Sequence, residues 1–202
     1  MSPKSRMRIG EAPPNAGGQV RSPGLDLPNL DSSLPDILAP HLAVVFCGLN
    51  PAATAVRAGH SFSSPTNRFW QTIYLAGFTP RKLRPDQERE LLMYGCGLTA
   101  VVNRATRSAS ELSRRDYARA VPYLETKVVK YAPRILAFLG KAAYSSITAR
   151  TQITWGSQGT TFGGAKVWIL PNPSGLNRTF TLGKLVEAYT ALREAVTDRG
   201  RA

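Results

Sequence analysis

The chain reads as an α/β protein, a three-layer sandwich in which a four-stranded, mostly parallel sheet carries helices on both faces. Two observations predict this. From Leu42 onward, short apolar runs alternate with amphipathic stretches, the pattern of buried parallel strands joined by crossover helices. Two of those runs then stop at an Asn-Pro turn, Asn50-Pro51 and Asn172-Pro173. A residue before proline is held extended, so each turn sets a carboxamide at the mouth of a buried strand, where open α/β sheets bind ligands.

Taken in order, residues 1–33 are rich in Pro, Gly and Ser and show no sustained apolar period, so they read as a disordered arm. The first strand is expected over Leu42–Gly48. Ser64-Pro65 reads as an N-cap followed by proline at the first helical position; Phe69, Ile73 and Tyr74 share one face, and Gly77 ends that helix. A second strand follows over Gly97–Val102. Ser108-Ala109-Ser110-Glu111 has the form of a capping box, and Pro122 reads as the opening of a helix that carries Leu124, Val128 and Tyr131. The third strand covers Arg134–Leu139, with a short helix from Gly140-Lys141, and the fourth covers Lys166–Leu170. Leu185, Tyr189, Leu192 and Val196 draw the apolar stripe of the last helix. Residues 34–198 thus form one domain, and 199–202 are a short basic tail.

Composition narrows the function. The chain has 202 residues, 43% hydrophobic and 19% charged, which suits one domain with a single core. No apolar run is long enough to cross a bilayer and the N-terminus lacks a signal-peptide core, so a cytoplasmic protein without membrane contact is expected. The two cysteines, Cys47 and Cys96, lie inside apolar stretches and read as buried free thiols. With only two histidines, His41 and His60, and no zinc-type spacing, no metal or organic cofactor is expected. Twenty-six Lys and Arg against 13 Asp and Glu give a net charge of +13. The arm holds only +1 of it, so the folded part carries +12. That excess attracts phosphates without reading sequence, which fits DNA or RNA, although a coding preference for arginine would leave the same balance.

Other chemistries lack their motifs. Gly48 and Gly59 do not make a GxGxxG fingerprint, Leu139-Gly140-Lys141 lacks the rest of a Walker loop, and Ser174 has no GxSxG context. What does stand out is a set of four segments: Gly48-Leu49-Asn50-Pro51, Gly59-His60-Ser61-Phe62, Pro65-Thr66-Asn67-Arg68-Phe69-Trp70, and Asn172-Pro173-Ser174-Gly175-Leu176-Asn177-Arg178. In this order they resemble the mismatch-specific uracil-DNA glycosylases, relatives of thymine-DNA glycosylase. The likeness runs from about Leu34 to about Val196.

The resemblance implies a uracil-DNA glycosylase catalytic domain over 34–198, acting as a monomer, associated with a bacterial-type nucleoid, on double-stranded DNA that contains uracil or mismatches. Asn50 matches the family's water-positioning asparagine; its carboxamide oxygen accepts a hydrogen bond but takes no proton at neutral pH. Leu49, Phe62 and Asn172 fall to the base pocket. Phe62 offers a flat face for stacking a pyrimidine, with an ordinary core phenylalanine as the alternative. Asn172 reads either as a polar contact in the site or as a loop stabiliser. Gly175, Leu176 and Arg178 form the wedge loop: Leu176 enters the gap left by the flipped nucleotide, Gly175 touches the opposite strand, and Arg178 meets a guanine or a phosphate. His60 is a candidate pocket wall. One position departs from the family, Ala52 in place of the glycine that usually follows Asn-Pro, and any left-handed backbone there would be strained. A catalytically weak lesion- or nucleic-acid-binding module is the alternative, with Ala52 as its support.

Overall fold

The computed structural model describes residues 33–148 and 150–197. The expected arm, Ser33 excepted, and the basic tail lie outside the described residues. The apolar runs become β1 (Val44–Gly48), β2 (Cys96–Ala100), β3 (Ile135–Leu139) and β5 (Ala165–Leu170), and β4 (Gly156–Phe162) precedes the last of these. The sheet order is β2-β1-β3-β5-β4. β2, β1, β3 and β5 are mutually parallel, and β4 closes the edge antiparallel to β5. The chain steps from β1 to β2 on one side and later to β3 on the other. Loops leaving the carboxyl ends of β1 and β3 therefore part, and a crevice opens there.

Alternation along the strands divides the core into two layers. Val44, Phe46, Ala137 and Leu170 pack with Phe69 and Ile73 of α2 (Phe69–Leu75) and with Leu185, Tyr189 and Leu192 of α5 (Leu182–Thr197). On the opposite face Val45, Cys47, Leu136, Phe138, Val167 and Ile169 meet Leu124 and Val128 of α3 (Arg114–Tyr131), and Ala143 and Tyr144 of α4 (Lys141–Thr148). Helices on both faces account for parallel strands that bury apolar residues on each side. Cys47 and Cys96 sit one in each layer as buried free thiols.

Four local differences from the expected elements have physical reasons. The sheet has five strands, because Gly156–Phe162 is a polar, glycine-bearing edge strand that offers no apolar run. α2 begins at Phe69; Ser64, Pro65 and Thr66 make a turn ahead of it, and Asn67 supplies the cap by accepting the Phe69 amide at 2.9 Å. Pro122 lies inside α3 rather than at its start, on the exposed face, where the carbonyl of Ala118 that loses its partner is reached by water. The helix opens instead at Ser113, whose hydroxyl and the Asp116 carboxylate form a reciprocal capping box. A short helix α1 (Ala53–Ala58) and a 3-10 helix over Pro85–Tyr94 also fill stretches without an assigned element. Among the described residues no helix is long and apolar enough to cross a membrane.

Candidate active site

A cavity of about 220 Å³ opens at the carboxyl ends of the parallel strands, in the crevice that the strand order creates. The turn after β1, the end of β2, the end of β3 and the turn after β5 all reach it. Leu49, Asn50, Phe62 and Asn172 line it together, although the sequence spreads them over more than half the chain.

Asn50 is fixed by its amide nitrogen. Nδ2 donates to the carbonyl of Arg104 at 3.1 Å, to the Thr106 hydroxyl at 2.7 Å and to the carbonyl of Pro51 at 3.2 Å. Carbonyl oxygens accept only, so they determine which end of the carboxamide faces them. Oδ1 is left facing away, with no hydrogen bond from any described residue. Thr106 is itself held in a parallel bridge with Ala52, through its amide to Pro51 O at 3.2 Å and its carbonyl to the Ala53 amide at 3.1 Å. The departure at Ala52 is resolved by this bridge. Its φ of −73° and ψ of 145° are extended, and alanine adopts them without strain.

Phe62 is at once a pocket residue and a core satellite. Its ring stacks on Phe69 with centroids 4.1 Å apart and an interplanar angle of 23°, and the residue lines the cavity. Its backbone is left-handed, with φ 55°, which costs a bulky residue roughly 1–2 kcal/mol. The neighbouring Ser61 shows what holds it there. The Ser61 amide donates to buried Glu88 at 2.8 Å, and its carbonyl accepts the Trp70 indole N–H at 3.2 Å. His60 is not a pocket wall; it turns toward Glu88, Nδ1 lying 3.5 Å from Oε1.

Asn172 shapes its own turn and also lies on the cavity. Oδ1 accepts the Ser174 amide at 2.9 Å, while Nδ2 makes no bond within the described residues. The loop beyond it places Leu176 in solvent, 91% exposed, with Arg178 also exposed and its side chain free of hydrogen bonds to described residues. Gly175 packs on the 66–67 turn. A Cβ there would lie 2.6 Å from Thr66 Cβ and 2.7 Å from its carbonyl oxygen, so no larger residue fits without moving the loop.

One carboxylate on the lining went unnoticed in the sequence. Asp36 has both oxygens engaged, Oδ1 by the Thr99 hydroxyl at 2.7 Å and Oδ2 by the buried Lys127 ammonium at 2.8 Å. It fastens the incoming chain to β2 and α3. Glu88 and Arg68 were likewise unassigned. Arg68 stood inside the Pro65–Trp70 segment that carries the resemblance, which was the available signal; Glu88 and Asp36 had none. Among the described residues no three His, Cys, Asp or Glu side chains gather as a metal site would require.

Comparison with known proteins fits this geometry. A family model described as the uracil DNA glycosylase superfamily matches residues 35–195, spanning every element of the site. The chain belongs to that superfamily. The solution NMR structure of a candidate uracil DNA glycosylase from Methanosarcina acetivorans is similar, with a TM-score of 0.53 and 18% identity over 81% of this chain and 97% of that one. At that identity the likeness establishes the shared α/β fold. Superfamily membership supports a uracil-DNA-glycosylase type of activity, that of a hydrolase acting on DNA.

Proposed function

We propose that the protein is a monofunctional DNA glycosylase that flips uracil out of double-stranded DNA, preferably opposite guanine, and hydrolyses its N-glycosidic bond to leave an abasic site. The observation that carries this reading is Asn50. Three acceptors fix its amide nitrogen, its oxygen accepts no bond from the described residues, and the residue lines a cavity together with a stacked phenylalanine. An oxygen so placed accepts a hydrogen bond from a water and aims that water's lone pair at the sugar C1′. Uracil leaves with the C1′–N1 electron pair, the water oxygen then bonds the cationic C1′, and the proton that the water sheds passes to the departed uracil anion or to solvent.

An amide removes no proton, and each oxygen of the Asp36 carboxylate already accepts a bond, from the Thr99 hydroxyl and from the Lys127 ammonium. The leaving group must therefore depart largely by itself, through an oxocarbenium-like sugar, and turnover is slow. The free Nδ2 of Asn172 can donate to a uracil oxygen as charge develops there. Leu176 fills the vacated stack, and Arg178 meets the opposite strand or its phosphates. The protein acts as a monomer on DNA bearing uracil or mismatches. The rival reading, a weak binding module, loses its argument with the unstrained backbone at Ala52.

Asn50→Ala tests the assignment. Single-turnover excision should fall by roughly 10²-fold, the scale of a lost polar catalytic contact, with duplex binding retained. Near-wild-type release by the saturated variant would overturn it. Asn50→Asp is a poor mimic here, since it sets an acceptor against the carbonyls of Pro51 and Arg104, at a cost of about 1–3 kcal/mol in stability. Rates on uracil opposite guanine, uracil opposite adenine, thymine opposite guanine and single-stranded uracil rank the substrates.

A further inference from the structure

The loop that carries Leu176 has almost no core of its own. Gly175, Leu176, Arg178 and Thr179 are all exposed, and the bonds internal to the loop are local: Asn177 N–H to Ser174 O at 3.0 Å, and Asn177 Nδ2 to Asn172 O at 2.8 Å. Pushing an apolar tip into a base stack loads such a loop from its end. Something must hold its frame.

Arg68 does so from α2's side. Its guanidinium donates to four carbonyls of the segment: Phe180 from Nη1 at 2.6 Å, Ser174 and Asn177 from Nη2 at 2.8 and 2.9 Å, and Pro173 from Nε at 3.4 Å. Its own amide adds a bond to Pro173 O at 3.0 Å. These carbonyls bracket Leu176 on both sides. The planar fork spans several acceptors at once, which a lysine cannot do. Among the described residues no carboxylate bonds this guanidinium, and all its partners are backbone oxygens of the loop. Asn172 has independent support, because the Tyr189 hydroxyl donates to Pro171 O at 3.2 Å and the Asn172 side chain makes its own turn.

We propose that Arg68 is the positioning residue of the wedge, setting the frame from which Leu176 enters the duplex. The proposal rests on the glycosylase reading above. Phe69, the next residue, stacks beneath Phe62, so one short segment supports the wedge loop with Arg68 and the base pocket with Phe69.

The test compares duplex with single strand. Single-strand uracil has no stack to hold open, whereas duplex does, so Arg68→Ala should lower the duplex-to-single-strand ratio of single-turnover rates by about tenfold or more, as expected when a reacting geometry is displaced. Arg68→Lys should recover only part of that ratio. In a Leu176→Ala background Arg68→Ala should add little, because the tip it positions is gone. An unchanged ratio, or full additivity with Leu176→Ala, overturns the proposal. Amide hydrogen exchange of residues 174–178 gives a readout that needs no chemistry: Arg68→Ala should accelerate it while residues 96–100 stay protected, and unchanged exchange overturns the proposal. If the wild-type protein releases no uracil from any substrate, the glycosylase reading fails, and exchange alone still decides whether Arg68 frames the loop.

Discussion

The carboxamide of Asn50 and the ring of Phe62 illustrate how much a side chain owes to partners distant in sequence. Asn50 could be chosen from its place before Pro51 at a strand end, and the structure puts it on the cavity as expected. Its orientation depends on Arg104 and Thr106, more than fifty residues away, and no spacing rule links them. Phe62 was legible as a pocket residue from its loop and its segment, but its left-handed backbone was not, because the two side chains beside it, Glu88 and Trp70, come from different helices. Ala52 was legible as a departure and misleading as a source of strain, since sequence does not report φ. A testable consequence follows from its extended backbone: Ala52→Gly relieves nothing, and by enlarging the freedom of the unfolded chain it should lower stability by about 0.4–1 kcal/mol in urea titration. A stabilising effect of glycine would show that the backbone there is strained.

Among the elements, β1, β3 and β5 were readable to within two residues because their runs are mainly apolar and mostly buried, Lys166 of β5 being the exposed exception. β4 was not, since an edge strand needs only the ladder of β5 and tolerates Gly, Ser, Gln and Thr. α3 misled in a different way. Proline inside a helix is rare, so Pro122 read as a beginning, while the true start is the Ser113–Asp116 box. That box makes the helix sensitive to acid. Hydrogen bonds from the Ser113 amide and hydroxyl, then Arg104, hold the Asp116 carboxyl down to about 2. An unfolded aspartate titrates near 3.9, so between these values the unfolded state binds more protons, and the contribution is whole above that range and lost as pH falls through it. Asp116→Asn should therefore have a lower thermal midpoint than wild type at pH 6, with the difference closing near pH 2. A difference independent of pH would show that the carboxylate charge has no part in the cap.

On the scale of the whole molecule, the segment before β1 is stitched to the sheet and to α3 by one partly buried pair, Asp36 with Lys127, alongside Thr99. Removing the acid leaves the ammonium poorly paired. Asp36→Ala should cost roughly 1–3 kcal/mol in chemical denaturation, the ammonium keeping only the Thr99 hydroxyl at 2.9 Å and the Tyr123 ring, and adding Lys127→Met should return much of it by removing the poorly paired charge. Equal instability of the single and double variants would mean that packing, not charge, is what Asp36 supplies. The two thiols have a practical meaning at this scale. Cys47 and Cys96 are the chain's only cysteines, and burial raises both, Cys96 to about 12 and Cys47 further. Alkylating reagents attack thiolates, so the native fold is silent to maleimide without any cysteine being removed. A cysteine introduced at position 176, where the present leucine is 91% exposed, would be the sole labelling point. An environment-sensitive fluorophore attached there turns the loop tip into its own reporter, dim in water and bright once it lies between bases.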